Sequence, residues 1–179
     1  MSSAMRVHDL VRHFTVRTGL LGRSVARVRA VDGVSFELEA GSAFAIVGES
    51  GCGKSLTALA LMGLLPEGAQ ARGSLQWQGE ECLTWSEENW CKLRGNRIGF
   101  VPQNPTTALN PSMRVGDQIM ETLLVHTEIS KEDAKQKAIK LLEDVQIPDA
   151  RARINQYPFQ FSGGMRQRVM IAMAIACEP

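Results

Sequence analysis

Gly48-Glu49-Ser50-Gly51-Cys52-Gly53-Lys54-Ser55 satisfies the pattern G-x-x-x-x-G-K-[ST] at every position, and no other stretch of the chain restricts its fold as tightly. A loop that wraps an anion needs a strand to bring the chain in and a helix to carry it away. It also needs glycines, which tolerate positive φ and let the backbone approach a phosphate closely. Successive N–H groups from Gly51 to Ser55 then point inward as an anion nest. The helix beginning at Lys54 adds the positive end of its dipole. Lys54 supplies a full charge toward the β- and γ-phosphates of a nucleotide, and the Ser55 hydroxyl is a hard oxygen ligand suited to Mg²⁺. Gly48, Ser50, Cys52, Gly53 and Leu56 complete the candidate phosphate-binding set.

The flanking sequence suits that demand. Residues 43–47 form a continuous apolar run that stops at Gly48, the signature of a strand buried on both faces of a parallel sheet. Residues 54–65 read as a helix ended by Pro66. Upstream, Val34, Phe36 and Leu38 alternate with polar residues and predict a half-buried strand closing at Ala40-Gly41. The first ~30 residues, with Arg6, Arg12, Arg17, Arg23, Arg27, Arg29, Gly19 and Gly22, read as a long, solvated hairpin loop. Downstream, Leu75 and Trp77 mark a strand closed by Gly79. Ser86 N-caps a helix over 87–94 with Gly95 just past its end. Residues 97–101 read as a strand stopped by Pro102, and a proline- and threonine-rich loop runs from Gln103 to Pro111. Ser130 and Asp133 open a helix whose apolar residues Ala134, Ala138, Leu141, Leu142 and Val145 fit a 3.6-residue period. A last helix starts near Ser162 and carries Val169, Met170, Met173, Ala174 and Cys177.

Composition narrows the function classes. The 179 residues are 44% hydrophobic and 22% charged, ordinary globular values for one domain of ~100–200 residues. A formal net charge of +1 gives no bulk attraction to nucleic acid or to an anionic membrane. No apolar stretch approaches the ~20 residues of a spanning helix, and charged residues interrupt any signal core at the N-terminus. Cys52, Cys82, Cys91 and Cys177 show no C-x-x-C pair or zinc spacing. The expectation is a cytoplasmic protein with free thiols and no ligating role for His8, His13 or His126.

Phe161-Ser162-Gly163-Gly164-Met165-Arg166-Gln167-Arg168 is the second informative segment. A serine and two glycines opening an apolar helix make another anion-binding helix terminus. The phosphate loop, a glutamine after a strand in Val101-Pro102-Gln103, a helical stretch and then Ser162-Gly163-Gly164 resemble an ABC ATPase in order and separation, over essentially the whole chain. Pro105-Thr106-Thr107-Ala108-Leu109-Asn110-Pro111 and Tyr157-Pro158 leading into 161–171 are similar to the import ATPases for dipeptides, oligopeptides and nickel. So are Gly19-Leu20-Leu21-Gly22-Arg23 and Ala30-Val31-Asp32-Gly33-Val34-Ser35-Phe36.

The resemblance implies an α/β fold: a P-loop NTPase core with an antiparallel β subdomain and an α-helical subdomain. It places the core and β subdomain in 1–103, the mainly helical subdomain in 104–165 and the return toward the core in 166–179. It implies ATP and Mg²⁺ as ligands, with Lys54 and Gln103 catalytic, Ser55 and Gln103 at the metal, and Phe14 stacked on adenine, His13 being the neighbouring candidate. Ser162, Gly163 and Gly164 would close on the γ-phosphate of ATP held by a second ABC ATPase subunit, in a head-to-tail homo- or heterodimer. Membrane permease subunits would take up the motion through the lobe around 104–127, holding the protein at the inner face of the cell membrane. Met165 and Phe159 depart from the wider superfamily, where glutamine and a polar residue are usual. In the family, a buried strand ending in two carboxylates follows the position of Pro179. The resemblance therefore implies a C-terminal part missing here, weak turnover, and poor cover for residues 43–47. Other readings are an inert nucleotide-binding fragment, a non-transport ABC ATPase lacking its usual coiled-coil insert, and a different phosphate-loop kinase or GTPase. For the last, the Ser162-Gly163-Gly164 helix has no role and the guanine-reading N-K-x-D pattern is absent.

Overall fold

The computed structural model describes residues 3–18, 24–65, 71–104 and 108–179. They divide into two compact units, Met1–Trp90 and Cys91–Pro179.

The first unit is built on a four-stranded antiparallel sheet in the order β2-β1-β3-β4, with β1 Ser3–Thr18, β2 Ser24–Glu39, β3 Arg72–Trp77 and β4 Glu80–Glu81. β1 and β2 pair from Ser3↔Glu39 to Thr18↔Ser24, with register shifts between Val7 and His13. Such shifts bend and twist a long ribbon. The arginine-rich opening is thus two 16-residue strands rather than a solvated loop. Gly19, Gly22 and Arg23 lie outside the described residues. The arginines alternate with Met5, Val7, Leu10 and Val31, which are buried with Leu75 and Cys82 against the sheet. The alternation, not the charge, was the structural signal.

β3 and β4 join through Gln78-Gly79, both at positive φ, and the Glu81 carboxylate locks this hairpin. It accepts from the Ser74 hydroxyl at 2.6 Å and from the Leu75 and Leu83 amides at 3.1 Å each. Partial burial pushes this carboxyl up, but the hydrogen bonds outweigh it and leave the group below its ordinary value. α1 spans Lys54–Ala60 and ends at a turn before Gly63, short of the predicted 54–65; Pro66 is outside the described residues. α2 spans Glu87–Leu93, with the Ser86 hydroxyl at 3.5 Å from the Asn89 amide and Gly95 at φ 75 after it.

The predicted buried strand at 43–47 and the predicted strand at 97–101 are not formed. Residues 43–47 are outside any helix or strand and exposed, with Phe44 at 52% and Val47 at 91%, and 97–101 contributes only the isolated bridge Arg94↔Ile98. A parallel-sheet strand needs neighbours and cover on both faces. Among the described residues neither run is part of a sheet. Phe44 instead stacks on Phe36 of β2, ring centroids 4.7 Å apart.

The second unit is helical: α3 Val115–His126, α4 Lys131–Asp144, α5 Ala150–Arg153 and α6 Gly163–Ala174, with a 3₁₀ turn at Pro158–Gln160. Ser130 caps α4 as predicted, accepting from the Asp133 amide at 3.1 Å. Its apolar face joins one core with Val115, Ile119, Leu123, Ile147, Ile154, Phe161, Val169 and Met170.

Candidate functional site

The phosphate loop lies in the first unit. Gly53 is the N-cap of α1 at φ 97, ψ 0, in the left-handed region, and no side chain caps that terminus. Its position is fixed from behind. A Cβ built on Gly53 would lie 2.0 Å from the carbonyl oxygen of Ala30 on β2, and the buried Thr57 hydroxyl donates to the Gly53 carbonyl at 3.1 Å. Gly51 also has positive φ, 82°, with open space where a side chain would be. Among the described residues, the amides of Gly51, Gly53, Lys54 and Ser55 have no backbone acceptor, so four donors cluster at one turn. Lys54 Nζ donates to the Gly48 and Glu49 carbonyls, both at 2.7 Å, and lies 3.5 Å from Cys52 Sγ. These bonds hold the ammonium over the loop rather than in bulk water. Uncommitted N–H donors, a helix N-terminus and a tethered cation fit a polyphosphate, and the exposed Ser55 offers the hard oxygen that an accompanying Mg²⁺ requires.

Cys52 is exposed, yet its sulfur packs into the loop. A Cβ on Gly48 would meet Cys52 Sγ at 2.6 Å. A maleimide on this thiol would need the space over Gly48 and Lys54. Complete alkylation with N-ethylmaleimide is therefore expected to abolish the thermal stabilisation by Mg-ATP, and Cys52→Ala to become insensitive to the reagent. Undiminished ATP binding by fully modified protein would refute this.

Phe14 is half-buried on β1, opposite Val28. The Arg12 guanidinium carbon sits 4.4 Å from its ring centroid, a cation–π contact that pattern reading did not anticipate. His13 points elsewhere: its Nε2 is 2.7 Å from Asp32 Oδ1, and Asp32 also accepts from Arg29 at 3.3 Å. The hydrogen bond with His13 chiefly, and Arg29 after it, hold the Asp32 carboxyl below its ordinary range against the opposing effect of burial. His13 is thereby engaged in a hydrogen bond with Asp32. Val28 is two residues from Ala30, the residue backing Gly53, so β2 carries the Phe14 partner and the loop support two residues apart on one strand.

Gln103 and Ser162-Gly163-Gly164 belong to the second unit. Gln103 is exposed in a segment without helix or strand; Pro105, Thr106 and Thr107 are outside the described residues. Ser162 N-caps α6, accepting from the Met165 amide at 3.3 Å. A Cβ at Gly163 or Gly164 would meet open space, so the N-terminus of α6 is accessible. Met165 packs partly buried against the helical core, which accounts for an apolar residue there. Phe159 is 68% exposed and stacks on Tyr157, centroids 5.7 Å apart and planes within 8°.

Sequence reading placed 115–126 within a mainly helical region but did not delimit α3 or single out its buried Gln118. The signal was present in Val115, Ile119, Met120 and Leu123, which fall on one helical face.

Residues 31–179 match the family model for the ABC transporter, and the chain belongs to that family. It is 50% identical over 152 residues to the oligopeptide transport ATP-binding protein OppD of Escherichia coli (strain K12), covering 85% of this chain and 45% of that protein. It is 51% identical over 177 residues to OppD of Bacillus subtilis (strain 168), covering 98% and 48%. The dipeptide transport ATP-binding protein DppD of Bacillus subtilis (strain 168) is 45% identical over 181 residues, covering 100% and 52%. The chain thus spans about half the length of the curated relatives it matches. Among solved structures, the ATP-binding cassette MJ0796, in a dimeric post-hydrolysis state bound to ADP and Pi, superposes with a TM-score of 0.82 at 24% identity, over 98% of this chain and 70% of that one. The structure of cbiO1 from Clostridium perfringens gives 0.72 at 21%, over 100% and 63%. The expected fold class, an ABC ATPase domain with an antiparallel β part and a helical part, stands on these likenesses. Among the described residues no helix is long and apolar enough to cross a membrane.

Proposed function

We propose that this chain is the nucleotide-binding part of an ATPase subunit that powers import of di- or oligopeptides, with Mg-ATP bound at residues 48–56. The observation that carries the nucleotide reading is the loop itself: unbonded amides at Gly51, Gly53, Lys54 and Ser55 beside a Lys54 ammonium tethered to the Gly48 and Glu49 carbonyls. The names of the relatives near 50% identity support peptides over nickel as the solute. In this reading Phe14 stacks on adenine, Lys54 and Ser55 meet the β- and γ-phosphates and Mg²⁺, and Gln103 approaches the metal and the attacking water. Phosphoryl transfer depends on positioning and charge stabilisation, and these residues supply the cradle for it. Ser162, Gly163 and Gly164 read the γ-phosphate of a nucleotide on a second subunit, so two sites form in a head-to-tail dimer. Permease subunits contact the 104–127 region and keep the protein at the inner membrane face. For residues 1–179 alone we propose binding with weak turnover. The exposed 43–47 run, which enters the phosphate loop without a strand ladder to steady it, favours that second reading over full activity.

The test is the thermal midpoint of the chain with and without Mg-ATP, beside Lys54→Ala. A ligand at 100 times its Kd adds about 2.7 kcal/mol to stability. The midpoint is expected to rise in the parent and not in Lys54→Ala. No rise in a cooperatively folded parent overturns the proposal.

A further inference from the structure

Gln118 is one of two buried polar residues among those described, with 4% of its surface exposed. Its amide is fully committed to the loop that precedes α3. Oε1 accepts from the Asn110 amide at 2.9 Å, while Nε2 donates to the Asn110 carbonyl at 2.9 Å and the Met113 carbonyl at 3.0 Å. Asn110 turns the loop locally, its Oδ1 accepting from the Ser112 amide at 3.0 Å. Both amide protons are used, and the three bonds fix residues 110–113 to a single helical position. A buried amide with every donor matched specifies one arrangement, because any displacement of the loop leaves polar groups unpaired.

The same helix is fixed at its N-terminus to the chain leading into Ser162. Arg114 N-caps α3 without a side-chain bond. The first amides of the helix, which have no partner within it, are met from outside: Val115 N–H donates to the Gln156 carbonyl at 2.8 Å and Gly116 N–H to the Ile154 carbonyl at 2.9 Å. The approach is close, since a Cβ on Gly116 would lie 2.1 Å from Ile154 Cγ1. From Gln156 the hydrogen bonds continue. The Tyr157 amide donates to Gln160 Oε1 at 2.8 Å, and Arg166 Nε on α6 donates back to the Pro158 carbonyl at 2.8 Å. Phe161, 3% exposed, anchors the turn in the core just before Ser162.

We propose that Gln118 is a positioning residue, joining the 109–113 loop through the N-terminus of α3 and residues 154–161 to the Ser162-Gly163-Gly164 terminus of α6. A displacement of that loop is thereby felt at α6, and the orientation of the α6 amides depends on the loop being seated. The functional weight of this link rests on the nucleotide reading proposed above; the link itself does not.

Amide hydrogen exchange of the whole chain without nucleotide tests it, so failure of the nucleotide proposal leaves the result readable. In Gln118→Met, which fills the volume without the bonds, protection at Asn110 and Met113 is expected to fall at least ~10-fold. Protection at Val115, Gly116, Met165 and Arg166 falls several-fold with it, relative to residues 139–142 of α4. Ile147→Val, a loss in the same core outside both the path and the reference helix, leaves the Met165 and Arg166 ratio unchanged. Should Gln118→Met fail to fold, Gln118→Glu gives the same information. Its carboxyl, pushed up by burial, can accept from the Asn110 amide and donate its one proton to one of the two carbonyls at pH 5, and can donate to neither at pH 8. Protection factors at both segments are then closer to the parent at pH 5 than at pH 8. Loosening confined to 110–113 in either variant, or at neither segment, overturns the proposal.

Discussion

Gly53→Ala is expected to abolish the Mg-ATP-induced rise in melting midpoint and to destabilise the first unit by roughly 2–5 kcal/mol. Two costs add. At φ 97 an L side chain sits in the left-handed region, a cost of about 1–3 kcal/mol for a residue with a Cβ. That Cβ would also lie 2.0 Å from the Ala30 carbonyl oxygen, which belongs to a paired strand and has no rotamer to escape into. The loop can relieve the clash only by withdrawing from β2, which turns the amides of 53–55 out of register with a bound phosphate. Gly51→Ala separates the two contributions. Gly51 has φ 82 and open space at its Cβ position, so only strain applies, about 1 kcal/mol, and a weakened nucleotide response should survive. Urea unfolding and thermal shift on both variants check the ranking. Equal effects would show that the β2 contact does not hold the loop.

The contrast between these glycines also shows what sequence could and could not give. The pattern G-x-x-x-x-G-K-[ST] marked both positions, but it could not tell which one backs onto protein, because that depends on the path of β2. Local signals were reliable where the energy is local: Ser130 and Ser162 cap their helices, and Gly79 and Gly95 close turns with positive φ. They failed at 43–47 and 97–101, where a strand exists only by virtue of neighbours. Apolar content there measures the need for cover, and nothing in the run says whether the cover is supplied. The arginine-rich opening failed in the opposite sense. Its charges drew attention from the Met5, Val7 and Leu10 alternation that buries one face of β1. At the site, the loop residues and Ser162 were legible as motifs. The Arg12–Phe14 stack and the His13–Asp32 pair were not, since each is a side-chain contact set by strand register and twist.

The helical unit permits a sharp test of the α3 assignment that periodicity had overlooked. Leu123 and Leu124 are adjacent and chemically identical, yet Leu123 is fully buried and Leu124 is 41% exposed. Leu123 points into the cluster of Val115, Ile119, Leu142 and Val169, where truncation removes transfer energy and leaves a cavity that close-packed neighbours fill poorly. Leu123→Ala is therefore expected to cost about 2–5 kcal/mol. At roughly 2–4 °C per kcal/mol for a chain of this size, the melting midpoint should fall by ~5–15 °C. Leu124→Ala loses only part of a half-solvated side chain in a position where alanine favours the helix, and should stay within about 0.5 kcal/mol of the parent. Because the two substitutions share composition, helix propensity and near-identical effects on the unfolded chain, their difference isolates burial. A large gap fixes the rotational phase of α3, and with it the inward direction of Ile119. Gln118, buried at the edge of the same face, then has its amide held toward the 110–113 loop. Comparable losses at Leu123 and Leu124 would mean that α3 is rotated or covered on its outer face. The buried amide of Gln118 would then have to be reassigned together with the helix that carries it.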